Sequence, residues 1–436
     1  MEQPPTLREI RYRPPNFGRW LTWTCTALLF ALMPAIFSKG FALTLMSQMG
    51  IMIVFALSYN MLLGQSGMLS FGHAVYSGLG AFFAIHAMRA VAAGTMAWPV
   101  SLLPLIGGLA GAFFGVIFGY LTTRKAGTPF AMITLGIGEM VFAASLMFPG
   151  FFGGEGGLTG NRTAGGPFAG VAALTFGPQV QVYYLIAIWC FVCMAAMYAL
   201  TQTPLGRIAN AVRDNPERAE FIGYNTQRVR WIMVILSSLF AGIAGGLTAI
   251  NFEIVSAENV SAVRSGGVLL AAFIGGVSFF FGPILGAIVF TFFAVALSEF
   301  TKAWQLYLGV FFVLLVMFAP GGLSSLLLMN LRVMKFRKFQ RLLDPYVGAL
   351  LTAATMMLGA VMLIELTYHV TLDTGQGPVA RLFGIPFDTG TPGPWVLAAF
   401  LLLSGAIAFD YYRRNFRRCW DEIQVEIEDW IRDNPT

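Results

Sequence analysis

Residues Thr203 to Asn225 read TPLGRIANAVRDNPERAEFIGYN, a polar and basic island between long apolar stretches. Its punctuation predicts two short helices. Thr203-Pro204 and Asn215-Pro216 each join a residue whose side chain can cap a helix start to a proline suited to the first helical position. The second helix is expected to run from Pro216 to Ile222 and stop at Gly223, which can take the left-handed conformation of a C-cap. A helix of about two turns is marginal alone in water, so double capping implies a surface that holds it, with Ala219, Phe221 and Ile222 available to pack. That surface is expected on another protein. A well-capped connector between membrane spans would show the same local signals, and the flanking sequence must decide.

The flanks are membrane sequence. Of 436 residues, 57% are hydrophobic and 11% charged, the mean hydropathy is +0.72, and apolar runs near twenty residues recur, which excludes a water-soluble domain. Those runs fall near 20–37, 41–63, 71–90, 98–121, 127–148, 182–200, 230–250, 266–280, 283–300, 304–319, 346–369 and 395–411. The net charge of +6 is read by position, since basic residues in short loops set orientation; nucleic acid is not implied. Basic clusters at the N-terminus, at Arg124-Lys125, across 203–230, at 332–341 and at 413–418 are all expected on the cytoplasmic side. Even numbers of runs separate neighbouring clusters, as that requires. The first run, preceded by Arg8, Arg11, Arg13 and Arg19, reads as a retained anchor. The fold expected is therefore an all-α polytopic membrane protein of roughly ten to twelve transmembrane or re-entrant helices, glycine-rich and broken near 71–90 and 266–300.

Four cysteines are too scattered for a disulfide framework, and Cys190 and Cys193, within YYLIAIWCFVCMAAMYAL, read as small buried thiols. No metal site or cofactor is indicated. His73, His86 and His369 are the only histidines, and neither H-E-x-x-H nor G-x-S-x-G occurs, which argues against a membrane enzyme.

Polar groups at membrane depth mark candidate interior positions. Asn60, Gln65, Ser66, Ser70, His73 and Tyr76 bring hydrogen-bonding side chains there, interleaved with Gly64, Gly67, Gly72, Gly78 and Gly80. Irregular polar backbone is tolerated at that depth only inside protein or beside a wet cavity. Glu139 stands near mid-span, flanked by Gly136 and Gly138, and an intramembrane carboxylate is a functional candidate as well as a structural hydrogen-bond partner. Gly275-Gly276 and Gly282-Pro283 would interrupt a helix and leave half-helix ends able to bind ions or dipoles. The candidate path is thus Asn60, Gln65, Ser66, His73, Tyr76, Glu139, Gly275 and Gly276. By contrast, the glycine-rich loop Phe151 to Gly166 is expected to lack regular structure.

Together GQSGMLSFGHAVYSGLGAF, TLGIGEM, GGEGGLTG, TPLGRIANAVRDNPERAEFIG and GGVSFFFGPILGA, in this order across about residues 20 to 325, resemble the membrane permease subunit of branched-chain amino acid ABC importers, the LivM-like family. The resemblance implies a sister permease of the LivH-like kind, two ABC ATPase subunits, a periplasmic solute-binding protein and a bacterial inner membrane, with both termini cytoplasmic. It also gives the island a role. Glu217 to Gly223 resembles the loop that docks in a groove of the ATPase, making Arg207, Arg213, Asn215, Pro216, Glu217, Ala219, Glu220 and Gly223 the expected coupling residues. No G-x-x-x-x-G-K-[ST] occurs in the chain, so ATP hydrolysis is expected on the partners. Related permeases are associated with hydrophobic amino acids, amides, urea and small aromatic acids. The alternative is an ATP-independent channel or facilitator for a small polar solute such as urea, which would leave the capped helix unexplained.

The expected organisation is a basic arm (1–19), a permease core (20–330) containing the coupling segment (203–225), a basic linker (331–345), two additional spans (346–411) and an acidic amphipathic tail (412–436). In the tail, Trp420, Ile423, Ile427, Trp430 and Ile431 form one helical stripe. Arginines 413, 414, 417 and 418 are expected to hold the last span at the bilayer while the acidic helix turns away and lays its stripe on protein, either the ATPase or the chain's own basic arm.

Overall fold

The computed structural model describes residues 17–164, 175–336, 338, 340–372, 379–382 and 385–433; the basic arm up to residue 16 lies outside them. Among the described residues nine helices are long and apolar enough to cross a membrane. One pair, bent by 50°, forms a tenth candidate, and two shorter apolar helices lie at Trp20–Ile36 and Ala262–Gly275. Helices are the required solution, because lipid offers the backbone no hydrogen-bond partner. The chain divides into two compact units, Met1–Leu269 and Leu270–Thr436.

In the first unit the helices are α1 (Phe17–Ile36), α2 (Gly40–Ser66), α3 (Ala74–Ala92), α4 (Leu103–Thr122), α5 (Thr128–Met147), the single turn α6 (Pro149–Phe152), α7 (Gln179–Gln202), α8 (Pro204–Asp214), α9 (Pro216–Phe221) and α10 (Thr226–Phe252), with α11 (Ala262–Gly275) beginning at its end. Helices α3 and α10 are the interior pair, 78% of each apolar window being buried against 33 to 50% for the other spans of this unit. Glycine brings them together. A Cβ on Gly80 would lie 2.7 Å from Gly242 Cα, and one on Gly107 of α4 would lie 2.6 Å from the Gly242 carbonyl, so three backbones touch with no side chain between them.

Two expectations change here. The 71–90 run is not broken within itself: α3 is a continuous helix of 19 residues, and the interruption lies before it, at 67–73. The loop after α5 is also more ordered than its composition suggests. Leu158–Thr159 (β1) pairs antiparallel with Ile254–Val255 (β2), and left-handed Gly153 and Gly154, with Gly157 at φ +69°, fold the chain back to make that pairing possible. Arg162 then fastens the loop, donating from Nε to the Phe176 carbonyl (2.7 Å) and from Nη1 to the carbonyls of Ile250 and Asn251 at the end of α10.

The second unit carries the end of α11, then α12 (Gly282–Thr291), α13 (Trp304–Phe318), α14 (Gly322–Lys335), α15 (Gln340–Leu372) and α16 (Pro392–Asp433). Helix α11 stops at Gly275, Gly276 takes φ +101°, and α12 starts at Gly282, the interruption expected from the sequence. A second break, at Gly322 with φ +72°, sits directly on it: a Cβ on Gly322 would lie 2.5 Å from Gly276 Cα. Helices α15 and α16 pack as a hairpin, joined through β3 (Val379–Leu382) and β4 (Ile385–Asp388). Glu365 of α15 accepts hydrogen bonds from Thr301 (2.6 Å) and Tyr307 (2.8 Å), tying the hairpin to the start of α13.

The tail departs from expectation. No turn separates the arginines from the acidic stretch; α16 continues through both, because nothing between Arg413 and Asp433 breaks a helix. Its stripe lies on the chain's own linker, with Ile423 and Ile427 buried among Val333, Leu342, Phe336 and Tyr346. The side chains of Trp430 and Ile431 lie outside the described residues.

Candidate translocation site and coupling helices

Helix α2 ends in a left-handed Gly67, whose N–H reaches the Leu63 carbonyl (3.1 Å) while Met68 N reaches that of Leu62 (3.0 Å). The chain from Gly67 to His73 then runs without regular structure, and neighbouring helices meet several of the main-chain groups there. Tyr59 OH donates to the Ser70 carbonyl (3.1 Å), Phe71 N to Thr134 Oγ1 (3.1 Å), and Ala74 N, opening α3, to Ser265 Oγ of α11 (3.0 Å). Gly72 presses on the Thr134 carbonyl of α5, where any side chain would collide. Main-chain partners of this kind are what unwound backbone inside a membrane bundle requires.

His73 stands at the end of this segment, fully buried. Its Nε2 lies 3.0 Å from Ser58 Oγ, and its ring stacks on Phe55 (centroids 5.5 Å apart) and meets Tyr59 and Tyr76 edge-on. Ser237 Oγ of α10 donates to the Ser58 carbonyl (2.6 Å), binding the third helix in. Asn60 and Tyr76 are also buried, and Ser66 Oγ turns back to the Leu62 carbonyl (2.7 Å). Among the described residues Asn60 Oδ1, Gln65 Oε1, Ser70 Oγ, His73 Nδ1 and Ser77 Oγ have no hydrogen-bond partner. Unsatisfied polar atoms are unusual inside a protein, and each marks a place where another molecule can bond; of these, Gln65 lies with Leu200, Thr201 and Gly206, where α7 meets α8.

Arg264, not among the residues singled out from the sequence, meets His73 across the Phe55 ring, which both contact. Its Nη1 donates to Asn259 Oδ1 (2.7 Å), its Nη2 to Thr248 Oγ1 (3.1 Å), and the guanidinium lies 5.8 Å from the Phe55 ring centroid, in cation–π range. One signal was available: Arg264 is a charged residue set immediately before the apolar run expected near 266–280.

Glu139 lies elsewhere, exposed on a face of α5 that also carries Met132, Gly136 and Met140. Gly275 and Gly276 are in the second unit, at the break described above.

The island forms the expected pair, α8 and α9, with α9 assigned one residue shorter at its C-terminal end than expected. Thr203 Oγ1 accepts from Gly206 N (3.4 Å), Asn215 Oδ1 accepts from Arg218 N (2.9 Å), and Gly223 takes φ +92°. Ala219 is buried, whereas Phe221 is 90% and Ile222 66% exposed, an apolar tip that the described residues leave uncovered. Arg207, Asn215, Pro216, Glu217 and Glu220 are exposed around it, Glu220 Oε1 accepting from Thr226 Oγ1 at the start of α10 (2.7 Å). Arg213 reaches the other way, pairing with Asp214 (2.8 Å) and donating from Nη1 to the Gly64 carbonyl in the last turn of α2.

A family model described as branched-chain amino acid transport system / permease component matches residues 41–320. The chain is 29% identical over 291 residues to the high-affinity branched-chain amino acid transport system permease protein LivM of Escherichia coli (strain K12), the match covering 63% of this chain and 67% of that protein. It is 28% identical over 217 residues to the fructose import permease protein FrcC of Rhizobium meliloti, covering 46% and 56%. With the guanosine ABC transporter permease protein NupQ of Bacillus subtilis (strain 168) it shares 30% identity over 118 residues, covering 27% and 36%. No solved structure matches the chain.

Proposed function

This chain belongs to the branched-chain amino acid transport system permease component family, and on that premise we propose that it is the membrane-spanning subunit of an ATP-driven importer. Its cargo is a branched-chain or other hydrophobic amino acid, or a related amide or aromatic acid, delivered by a periplasmic binding protein. A second permease subunit completes the pathway, and two ATPase subunits bind the cytoplasmic face of a bacterial inner membrane, where both termini of this chain lie.

The observation that carries this reading is the α8–α9 pair. A six-residue helix, capped at its start, with Phe221 and Ile222 bare at its tip, has the form of a part that seats in another protein. Arg213 links the same pair to Gly64, just before the unwound segment that leads to His73. Movement of a seated α9 would therefore reach the bundle interior through α8 and the end of α2. Asn60, Gln65, Ser66, His73 and Tyr76 serve the path from within this chain, and Glu139, exposed on α5, serves it from the face offered to the sister subunit.

Co-purification of the chain with an ATPase, followed by ATP hydrolysis stimulated by solute-loaded binding protein, is the deciding experiment. Solute flux through the purified chain alone, independent of ATP, would instead support the facilitator reading.

A further inference from the structure

Two interruptions of the chain meet in the interior of the first unit. One is Gly67 to His73, which leads into α3; the other is the turn 256–261, which leads into α11. The hydrogen bond from Ala74 N to Ser265 Oγ locks the first turn of α3, a helix of 19 residues, to the first turn of α11, one of 14. Helix starts carry partial positive charge from their unpaired amides. Arg264 adds a full positive charge between them. Its described partners, Asn259, Thr248 and the Phe55 ring, are all neutral, and among the described residues no carboxylate forms an ion pair with it. Its Nε is buried and unbonded, as is Nδ1 of His73, whose ring stacks on the same Phe55.

A cation held among neutral groups inside a protein without a counter-charge is costly, and persists where function uses it. An unpaired guanidinium with a free Nε–H offers a planar fork suited to a carboxylate, and neighbouring helix starts favour the same charge. We infer that Arg264 anchors a carboxylate subsite in the interior of this chain, so that the solute it passes bears a carboxylate, as an amino acid does and a sugar or nucleoside does not. This rests on the importer reading and narrows it: the family resemblance alone admits amides and urea, which would leave Arg264 unpaired during passage.

The test is a thermal-shift titration of the full-length chain in detergent with isocaproate and with isocaproamide, which share a carbon skeleton and differ in charge, alongside transport of leucine and of leucinol by the assembled importer. Wild-type protein is expected to be stabilised by the carboxylate and not by the amide. Arg264→Gln is expected to weaken isocaproate binding about tenfold or more, the range for a hydrogen bond to a charged group, and to remove the preference for leucine over leucinol. Should Arg264→Gln fail to fold, Arg264→Lys keeps the charge without the fork and is expected to weaken the carboxylate alone. Equal stabilisation by acid and amide, or carboxylate binding unchanged in either variant, overturns the subsite. The two readings fail separately: ATPase association with transport of an uncharged solute removes the subsite and leaves the importer, whereas Arg264-dependent carboxylate binding without ATPase association does the reverse.

Discussion

Arg213 donates from Nη1 to the main-chain carbonyl of Gly64, so a side chain of the polar island holds the last turn of a membrane span. The fit is close, since a Cβ on Gly67, three residues on, would lie 2.8 Å from Arg213 Cγ. Arg213→Ala is expected to leave insertion and ATPase association intact while uncoupling them from transport, lowering uptake per ATP hydrolysed about tenfold. Arg213→Lys should recover part of the loss. Parallel measurement of uptake and hydrolysis in proteoliposomes checks this, and an unchanged ratio in Arg213→Ala would remove Arg213 from the linkage.

The caps of α9 can be tested apart from the bilayer. Asn215→Ala leaves Arg218 N without its acceptor and is expected to cost about 0.5 to 2 kcal/mol of helix stability. At Gly223 the space is open, but φ +92° disfavours a branched side chain, so Gly223→Val acts through backbone strain rather than collision. Both variants should insert normally and co-purify with less ATPase. Full ATPase recovery and full transport in the double variant would show that α9 is only a connector.

These caps were legible because capping is local: Thr203-Pro204, Asn215-Pro216 and Gly223 contain their own instructions, as does the Gly275-Gly276 break. Arg264 was not, because the groups that bury it, Phe55, Thr248 and Asn259, come from different parts of the chain. The exposure of Glu139 was equally hidden. In a helix whose inner and outer faces are both apolar, composition does not tell which side meets lipid or a partner and which meets the bundle. The loop after α5 misled for a related reason, since its glycines looked like disorder while β1 gains its order from a strand nearly a hundred residues away.

The crossing of α3 and α10 sets a packing limit. A Cβ on Gly245 would be driven into the Ser77 carbonyl, which belongs to a continuous buried helix and has no room to yield. Gly245→Val is expected to cost at least 1 to 3 kcal/mol, the usual range for overpacking. Reduced yield of folded protein and a lower melting temperature in detergent are the readouts. Gly136→Val on exposed α5, with nothing within 4 Å, is the matched control expected to leave the stability of the isolated chain unchanged.

The tail should release in acid. Glu426 accepts from Lys338 and pairs with Arg341 (3.1 Å), and the Lys338 hydrogen bond, with both nearby charges, holds its carboxyl below the ordinary value of 4.5. A carboxylate with a depressed folded value contributes stability that is present in full above its unfolded pKa and lost as pH falls through the folded one. Docking of α16 on the linker is therefore expected to hold at neutral pH and loosen below about pH 4.5. Glu426→Gln should bring the acid state's exchange protection near residues 421–433 to neutral pH. The change will be partial, because Ile423 and Ile427 remain buried against Val333 and Leu342 whatever the charge of Glu426. Adding Ile427→Asp removes that apolar contact and is expected to free the end of the helix, while the α15–α16 hairpin, held by Glu365 to Thr301 and Tyr307, stays in place. Hydrogen exchange at pH 7 and pH 4 on wild type and both variants resolves the two contributions. Protection at 421–433 that is equal at both pH values in the wild type would show that the Lys338 and Arg341 pairs do not hold the tail.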